Sequence, residues 1–254
     1  MFGRISQARW RAAQALEESE WNYQGIVEAE WQEIVKKYQK IFTELEHSLE
    51  LTQDTMILDV GCGPTIITRL FKQGRRYAFD PLLYNLSHAQ TIAHDHTNLM
   101  TARGEEMPFA ASCFDVAVCR NVLDHTQHPY QVLEEMRRTA KPNAKYFISL
   151  YTYAPFITFV KKIGERISLL RNVAHPFTFT PDEFKAMISY SGIQIEREWL
   201  IHQGVHSTDY GKIPPPLPDR SIRNRLIIWV NANVFRSKWF VREYAFLGHA
   251  LSND

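Results

Sequence analysis

The sequence has few cysteines and no long apolar run. Its 254 residues include three cysteines, Cys62, Cys113 and Cys119, too few and too irregularly spaced for a disulfide framework or a zinc site of paired CxxC type. The longest apolar run, residues 226–230, is far shorter than the roughly 20 residues that cross a bilayer. No apolar segment followed by a cleavage signal begins the chain, so no secretory peptide is predicted. We therefore expect a cytoplasmic protein without a transmembrane segment.

An excess of charge of either sign is also lacking. The 29 lysines and arginines nearly cancel the 28 aspartates and glutamates. A protein that holds a nucleic acid backbone by releasing its counterions needs a broad positive field, and this sequence has none. The composition therefore predicts no nucleic acid partner. The length favours one domain with additions over two independent domains.

The first fifty residues contain no proline and are helical in pattern. A short helix is predicted over 5–19, followed by a longer one with an apolar stripe. The stripe consists of Val27, Trp31, Ile34, Tyr38, Ile41 and Leu45. It favours a helix packed on the next domain over a coiled-coil seam, which would need more heptads. We therefore predict a helical cap over 1–50, in a monomer or a homodimer, with Trp21 and Tyr23 as hydrophobic staples or as a lid.

From Thr55 onward, short apolar runs alternate with helical patterns, which is typical of a parallel sheet with helices on its faces. Strands are predicted over 56–60, 77–79, 98–102, 114–119, 145–151, 193–201 and 244–251. Helices are predicted to begin near Thr65, Leu83 and Pro129, and another over 182–191 after a Thr180 cap. The predicted fold is α/β and Rossmann-like, a doubly wound, mostly parallel seven-stranded sheet with an antiparallel last strand.

Two stretches interrupt this alternation late in the chain. Residues 213–218, IPPPLP, can continue neither a helix nor a sheet interior and are predicted as a loop. Residues 220–242 are basic and aromatic together, as in membrane-surface or nucleic-acid-binding segments. The pattern favours an amphipathic insertion whose apolar face lines a pocket and whose cations stay solvated.

A glycine-containing turn follows the first predicted strand. Asp59 ends that strand and the chain then passes Gly61 and Gly63, which presents bare backbone at the carboxyl edge of the sheet, where open parallel sheets bind ligands. A dinucleotide fingerprint would need a third glycine at Ile66, so a dinucleotide is disfavoured. Asp80 closes the second strand, where a carboxylate can accept hydrogen bonds from adjacent ribose hydroxyls. The pattern predicts a nucleoside-bearing ligand.

An ordered series of motifs resembles the class I S-adenosylmethionine-dependent methyltransferases. The series is ILDVGCGPT, FDPLL, GEEMPF, FDVAVCRNVLDH and LEEMRRTAKPNAKYFIS, between about residues 55 and 150. The resemblance is to the small-molecule branch that includes ubiquinone and menaquinone biosynthesis methyltransferases. The sequence departs from the family pattern at Thr65 and Arg103, where a glycine and an acidic residue are common, and at Asn143 and Ala144.

The resemblance implies an enzyme that uses S-adenosylmethionine, with domain limits of 51–254 and acceptor-covering insertions at about 152–180 and 203–242. It places Asp59, Gly61 and Gly63 around the methionine portion of the cofactor and Asp80 at the ribose. Gly104 and Glu105 would border the adenine. The remaining cofactor-binding candidates are Cys62, Pro81, Arg120 and Asn121.

His125 is the candidate catalytic residue. It follows the fourth predicted strand, where the acceptor is expected to enter, and a histidine titrates near neutral pH. It would act as a base or orient the acceptor; otherwise it caps or packs the loop with His128. The spacing of His175, His202 and His206 matches no zinc motif, so no metal is predicted and these are interpreted as loop histidines.

The predicted reaction is methyl transfer to oxygen or carbon of a small organic acceptor. A nucleic acid methyltransferase is less favoured, because amino-directed enzymes of that kind carry [DN]PP[YFW] where this chain reads CRNVLDH. A non-catalytic module that retains the fold for binding is the other alternative. The presence of Gly61, Gly63 and Asp80 argues against it, since a decayed site need not retain them.

Overall fold

The computed structural model describes residues 3–21, 26–85, 96–167, 175–203 and 240–251. Five α-helices and seven strands lie in these ranges. The helices are α1 (Gln7–Trp21), α2 (Ile26–Ser48), α3 (Pro129–Thr139), α4 (Pro155–Arg166) and α5 (Pro181–Tyr190). The strands are β1 (Met56–Val60), β2 (Arg75–Phe79), β3 (Asn98–Met100), β4 (Phe114–Arg120), β5 (Ala140–Tyr153), β6 (Ile193–Gln203) and β7 (Val241–Ala250).

The strands form one sheet in the order β3-β2-β1-β4-β5-β7-β6. The first five run parallel, and β7 lies antiparallel between β5 and β6. The predicted α/β fold with an antiparallel last strand is therefore confirmed. The register pairs Val60 with both Phe79 and Cys119, so the carboxyl ends of β1, β2 and β4 lie side by side.

Local sequence explains where the later helices begin and end. The ring nitrogen Nδ1 of His128 accepts a hydrogen bond from the Gln131 N–H, and Pro129 occupies the first turn of α3. Thr180 and Glu183 form a reciprocal capping box at the start of α5. This confirms the prediction that Thr180 caps the helix. Gly192 follows α5 at a φ of 78°, a left-handed conformation that favours glycine.

Helix α2 packs on the opposite face of the sheet from α3. Its buried residues Tyr38 and Phe42 contact Phe147 of β5, with ring centroids 6.1 and 5.1 Å away. This apolar face, with Ile34 and Leu45 also buried, is the stripe expected from the sequence. None of the described helices is both long enough and apolar enough to cross a membrane.

The helix predicted to begin near Thr65 is a single 3-10 turn, Ile67–Leu70. Ile66 before it is left-handed, with a φ of 46°, and β2 begins soon after, at Arg75. Phe71 after the turn is extended, with a φ of -77° and a ψ of 134°, so non-helical residues bound the turn on both sides. The helix predicted from Leu83 begins as a 3-10 turn, Leu83–Asn85, and the residues after it lie outside the described ranges.

Candidate functional site

The turn after β1 lies against the loop after β4. Gly61 and Gly63 both have positive φ, 63° and 54°, which glycine adopts without strain. A Cβ added at Gly61 would lie 2.6 Å from both Cγ atoms of Val122, so a side chain does not fit there. The Cys62 N–H donates to the Phe79 carbonyl at 3.0 Å, which ties the turn to the end of β2. The backbone is thus fixed at the sheet's carboxyl edge.

A cleft opens at this edge, bordered by helix α1 and by the segments that follow the four strands β1, β2, β3 and β4. From the strand ends and their loops, the lining residues are Gly61, Asp80, Pro81, Leu82, Arg103, Gly104, Glu105, Asn121, Val122, His125 and Thr126. From α1 they are Trp10, Gln14 and Glu17. Seven of the predicted site residues are in this set, whereas Asp59, Cys62, Gly63 and Arg120 lie behind the wall. No sequence motif indicated the three residues from α1.

Asp80 is a buried carboxylate at the cleft wall, with 7% of its surface exposed. Its oxygens accept hydrogen bonds from the Leu82 N–H at 2.9 Å and the Gly63 N–H at 3.2 Å. Burial raises the pKa of Asp80 to about 7, although the two amide hydrogen bonds oppose that shift. The orientation of the carboxylate is therefore set by backbone groups before any ligand binds.

Asp59, one strand away, has a different environment. Its Oδ2 accepts from the N–H and the Oγ1 hydroxyl of Thr68, both at 3.0 Å. Burial raises its pKa to about 6 against those hydrogen bonds. Asp59 thus anchors the 3-10 turn, and the structure places it outside the lining of the cleft. The expected contact of Asp59 with a cofactor stays a prediction.

The segment with Gly104 and Glu105 is fastened to the start of α3. Glu105 Oε1 accepts from the Gln127 N–H at 2.6 Å and from the His128 N–H at 3.1 Å. Its Oε2 lies 3.6 Å from Arg103 Nη2, and the Arg103 guanidinium stacks over the Trp10 ring at 4.3 Å. Glu105 therefore braces the wall, and Gly104 provides bare backbone facing the cleft.

Arg120 and Asn121 are held by groups far apart in the sequence. The Arg120 guanidinium donates to Glu30 of α2 at 2.9 Å and contacts the Thr65 hydroxyl at 3.4 Å. Asn121, left-handed at a φ of 53°, donates from Nδ2 to the buried Glu243 of β7 at 2.9 Å. Arg120 thus ties α2 to the glycine turn, and Asn121 faces the cleft. Glu30 and Glu243 were not predicted, since no local motif surrounds them.

The Glu243 carboxylate also pairs with α2. The hydroxyl of Tyr38 donates to Glu243 Oε1, and Lys37 Nζ lies 3.6 Å from its Oε2. Burial raises the pKa of Tyr38, and the Glu243 charge raises it further. This polar group lies under Asn121 and joins α2, β7 and the loop after β4.

His125 lines the cleft and belongs to a cluster of ionisable side chains. Its Nδ1 lies 3.6 Å from Glu17 Oε2, and its Nε2 lies 3.7 Å from Asp124 Oδ1. His175 Nδ1 lies 2.7 Å from Asp124 Oδ2, and the two imidazole rings are 4.4 Å apart between centroids. His175, interpreted from sequence as a loop histidine, is thus a partner of the candidate catalytic residue.

Burial and contacts within the cluster shift the pKa values of Asp124 and His175. Burial would raise the pKa of Asp124, but the nearby His125 charge and the His175 hydrogen bond outweigh it and lower that pKa. Burial and the His125 charge lower the pKa of His175, and the Asp124 contact only partly opposes them. His128 caps α3 instead of joining this cluster.

Some predictions fall outside the described residues. The side chain of Trp21 and the whole of Tyr23 lie outside those residues, so the interpretation of this pair as staples or as a lid is not tested. The same holds for His206, for the IPPPLP stretch and for all but the last few residues of the basic and aromatic segment. His202 lies in β6.

Comparison with known proteins supports the fold. Residues 58–148 match a family model described as a methyltransferase domain. The ubiquinone biosynthesis O-methyltransferase of Pseudomonas paraeruginosa is 28% identical over 153 residues, which are 55% of this chain and 65% of that relative. The corresponding protein of Rickettsia felis is 34% identical over 98 residues, 37% of this chain and 40% of that relative. The matches thus span less than two thirds of these relatives.

A solved structure covers nearly the whole chain. It is a 1,6-didemethyltoxoflavin-N1-methyltransferase of Burkholderia thailandensis, crystallised with 1,6-didemethyltoxoflavin and S-adenosylhomocysteine, with a TM-score of 0.61. It is 13% identical and covers 99% of this chain and 94% of its own, and at that identity the likeness shows the fold alone. With the sheet order and the family match, these findings define a class I methyltransferase fold. Within that fold, residues 58–148 are similar to a methyltransferase domain.

Proposed function

We propose that this protein transfers a methyl group from S-adenosylmethionine to oxygen or carbon of a small organic acceptor. The observation that carries the proposal is the buried carboxylate of Asp80, held by two backbone amides at the wall of a cleft over the carboxyl ends of β1, β2 and β4. Ligands of open α/β sheets bind at this edge. The family match over residues 58–148 supports the same reaction class.

Side chains at the cleft fit a nucleoside with an amino acid tail. Asp80 is oriented to accept from vicinal hydroxyls. Asn121 lines the cleft, and its buried Oδ1 has no hydrogen-bond partner among the described residues. A buried acceptor without a partner has a free-energy cost that a donor such as an ammonium group would remove. At Gly61, which has no side chain, the wall of the cleft consists of backbone atoms alone.

The proposed cofactor contacts follow from these positions. Asp80 and Pro81 would hold the ribose, Gly104 would border the adenine, and Gly61 with Asn121 would hold the methionine portion. Glu105, which also lines the cleft, would border the adenine. Four residues outside the lining would fix the wall: Asp59, Cys62, Gly63 and Arg120. When bound, S-adenosylmethionine supplies a methyl group on a positively charged sulfur. The protein then contributes mainly by holding the acceptor atom in line and close, since displacement at a methyl carbon depends on alignment.

The acceptor is proposed to enter beside His125, which faces the cleft near Glu17 of α1. His125 would orient the acceptor or take a proton from it. The helical cap over 1–50, and insertions at about 152–180 and 203–242, are proposed to cover this side. A formal net charge of +1 favours a small molecule over a nucleic acid. The similarity to proteins named O-methyltransferases supports an oxygen acceptor. The reaction is proposed to take place in the cytoplasm.

Calorimetric titration with S-adenosylmethionine and S-adenosylhomocysteine tests the proposal. We expect one site per chain for each compound. A panel of phenols, enols and carboxylic acids, assayed for release of S-adenosylhomocysteine, then tests turnover. Absence of binding by both compounds would refute the proposal, whereas binding without turnover across a broad panel would favour a non-catalytic module. A tight, salt-sensitive complex with RNA or DNA would instead point to a nucleic acid methyltransferase.

A further inference from the structure

Three potential metal ligands converge beside the cleft. Asp124 and His125 lie in the loop after β4, and His175 lies in the segment before α5. One carboxylate oxygen and one ring nitrogen from each histidine all lie within 4.8 Å of one another. No metal was predicted from the sequence, because the spacing of His175, His202 and His206 matches no zinc motif. The fold brings His175 next to Asp124 and His125, although it is distant from them in the sequence.

The contacts between these atoms are close to those of ligands around one ion. Zinc binds histidine nitrogen and carboxylate oxygen at about 2.0–2.2 Å, so neighbouring ligand atoms on a shared ion are roughly 3–3.5 Å apart. Here Asp124 Oδ2 is 2.7 Å from His175 Nδ1, and Asp124 Oδ1 is 3.7 Å from His125 Nε2. Both contacts are within a few tenths of an ångström of that separation, and no two of the three ligand atoms are more than 4.8 Å apart.

The carboxylate at the centre of the cluster is buried and incompletely satisfied. Asp124 is 4% exposed, and its Oδ1 has no hydrogen-bond partner among the described residues. Buried charges in proteins are generally paired or bind metals. The Asp124 carbonyl also accepts from the Phe177 N–H at 3.3 Å, which fixes the His175 segment against the loop after β4. The cluster is thus held in place by backbone as well as by side chains.

A second carboxylate, that of Glu17, lies near the other ring nitrogen of His125. The distance from His125 Nδ1 to Glu17 Oε2 is 3.6 Å, and this nitrogen is on the side of the ring away from Asp124. Histidines that bind a metal through one nitrogen typically donate the other ring N–H to a carboxylate or a carbonyl. Glu17 would accept that hydrogen bond once its 3.6 Å distance to His125 Nδ1 shortens to hydrogen-bond length.

We propose that Asp124, His125 and His175 bind one divalent transition-metal ion at the side of the cleft. Two imidazoles and one carboxylate suit zinc or another first-row divalent ion and leave coordination positions unfilled. Because His125 lines the cleft, those positions face the space where an acceptor oxygen would bind. The metal site itself is independent of the proposed function, but its role in holding an oxygen acceptor rests on it. With the ion bound, His125 is a ligand and orients the acceptor through the ion.

The test is calorimetric titration of ZnCl2 into the full-length protein after dialysis against EDTA. We expect one zinc ion per chain, and an affinity that falls roughly 100-fold or more in His175→Gln and in Asp124→Asn, which lose a direct ligand. Glu17→Gln should lose about tenfold, because it supports His125 without binding the ion. His249→Gln is the matched control, a histidine 2.6 Å from Glu196 and outside the cluster, and should bind zinc like the wild type.

Folding of the variants is checked with S-adenosylhomocysteine, titrated without zinc. An affinity for it within about threefold of the wild type would show that His175→Gln is folded. His175→Cys offers a second check, since a thiolate is also a zinc ligand and should keep the site. No zinc uptake by the wild type, or equal uptake by His175→Gln, would overturn the metal site and leave a hydrogen-bonded cluster that orients His125. Zinc binding without binding of S-adenosylhomocysteine would instead refute only the proposed function.

Discussion

The two sides of the cleft are built in different ways. The cofactor side, defined by Gly61, Asp80, Pro81 and Gly104, consists of residues at or near the ends of β1, β2 and β3. Its central carboxylate is held by backbone amides. The acceptor side, defined by Glu17, Asp124, His125 and His175, joins α1, the loop after β4 and the segment before α5. Its contacts run from side chain to side chain.

This difference predicts how each side responds to change. A site fixed by backbone amides depends on the conformation of one short turn, so a single substitution there alters ligand binding strongly. Side chains brought together by tertiary packing can be exchanged with little effect on the sheet. We expect substitutions on the cofactor side to change the affinity for S-adenosylhomocysteine, and those on the acceptor side to change acceptor use or metal binding instead.

The largest effect is expected from Asp80→Ala. Hydrogen bonds to a charged group contribute about 1.5–3 kcal/mol each, so loss of two ribose contacts should weaken S-adenosylhomocysteine binding at least about 100-fold. Calorimetry measures the affinity, and thermal unfolding verifies the fold. Asp54→Ala is the control, since that side chain is 84% exposed and pairs with Arg75 at the surface. An Asp80→Ala variant with wild-type affinity would remove Asp80 from the site.

The next largest effect is expected from Gly61→Ala. The added Cβ would lie 2.6 Å from the Val122 methyl groups, at a φ of 63° that alanine adopts only with strain. We expect a destabilisation of about 2 kcal/mol and a loss of S-adenosylhomocysteine affinity of similar size. Denaturant unfolding and calorimetry measure the two quantities.

A second substitution separates the two causes. Adding Val122→Ala to Gly61→Ala removes the clash but not the strain, so the double variant should recover about half of the lost stability. Gly3→Ala is the control, because its Cβ would meet nothing within 4 Å. If the double variant is no more stable than Gly61→Ala, the contact between the two loops does not limit this position.

The sequence predicted that the residues of the proposed cofactor side lie together at one edge of the sheet, because the necessary information is local. The strand before Gly61 and the strand before Asp80 each follow from a short apolar run, and the register of the parallel sheet then brings their ends together. The family resemblance added Gly104 and Asn121, which also line the cleft. A full helix was wrongly predicted near Thr65, because the left-handed Ile66 and the extended Phe71 that limit the 3-10 turn have no signature in the local sequence.

The acceptor side could not be predicted in the same way. His125 was identified because it follows a strand, but Glu17 and His175 come from segments whose position depends on how α1 and the chain before α5 pack. No periodicity or spacing connects them with Asp124. The same applies to Glu243, which holds Asn121 from the last strand of the sheet. Contacts of this kind result from tertiary structure alone.

A tenfold effect is expected from pH, and it should be confined to the cofactor side. The pKa of Asp80 is raised to about 7, so its ionised fraction falls from about 90% at pH 8 to about 10% at pH 6. Because the ionised carboxylate accepts from both ribose hydroxyls, S-adenosylhomocysteine should bind about tenfold more weakly at pH 6. The groups whose charges act on Asp80 are Glu17 and His125.

Asp80→Asn distinguishes Asp80 from those neighbours. An amide does not titrate, so its weaker affinity should be nearly constant from pH 6 to pH 8, as measured by calorimetry in buffers of equal ionic strength. The same carboxylate also affects folding, but its pH dependence there has the opposite sign to that of ligand binding. The folded protein retains a proton at Asp80 that the unfolded chain has lost above its ordinary pKa. Its contribution to stability is thus greatest at low pH and is lost as the pH rises through about 7. A pH dependence that persists in Asp80→Asn would assign the titration to another group.

The smallest effect is expected from Trp10→Ala, which tests whether α1 belongs to the cofactor side as well. Trp10 lines the cleft, and its ring lies 4.3 Å from the Arg103 guanidinium. Such a contact contributes about 1 kcal/mol, so S-adenosylhomocysteine affinity should fall about fivefold as Arg103 loses its support beside Gly104. Trp199→Ala is the matched control, because Arg197 stacks on that ring at 4.7 Å on strand β6. Equal affinities for both variants and the wild type would confine α1 to the acceptor side, where Glu17 approaches His125.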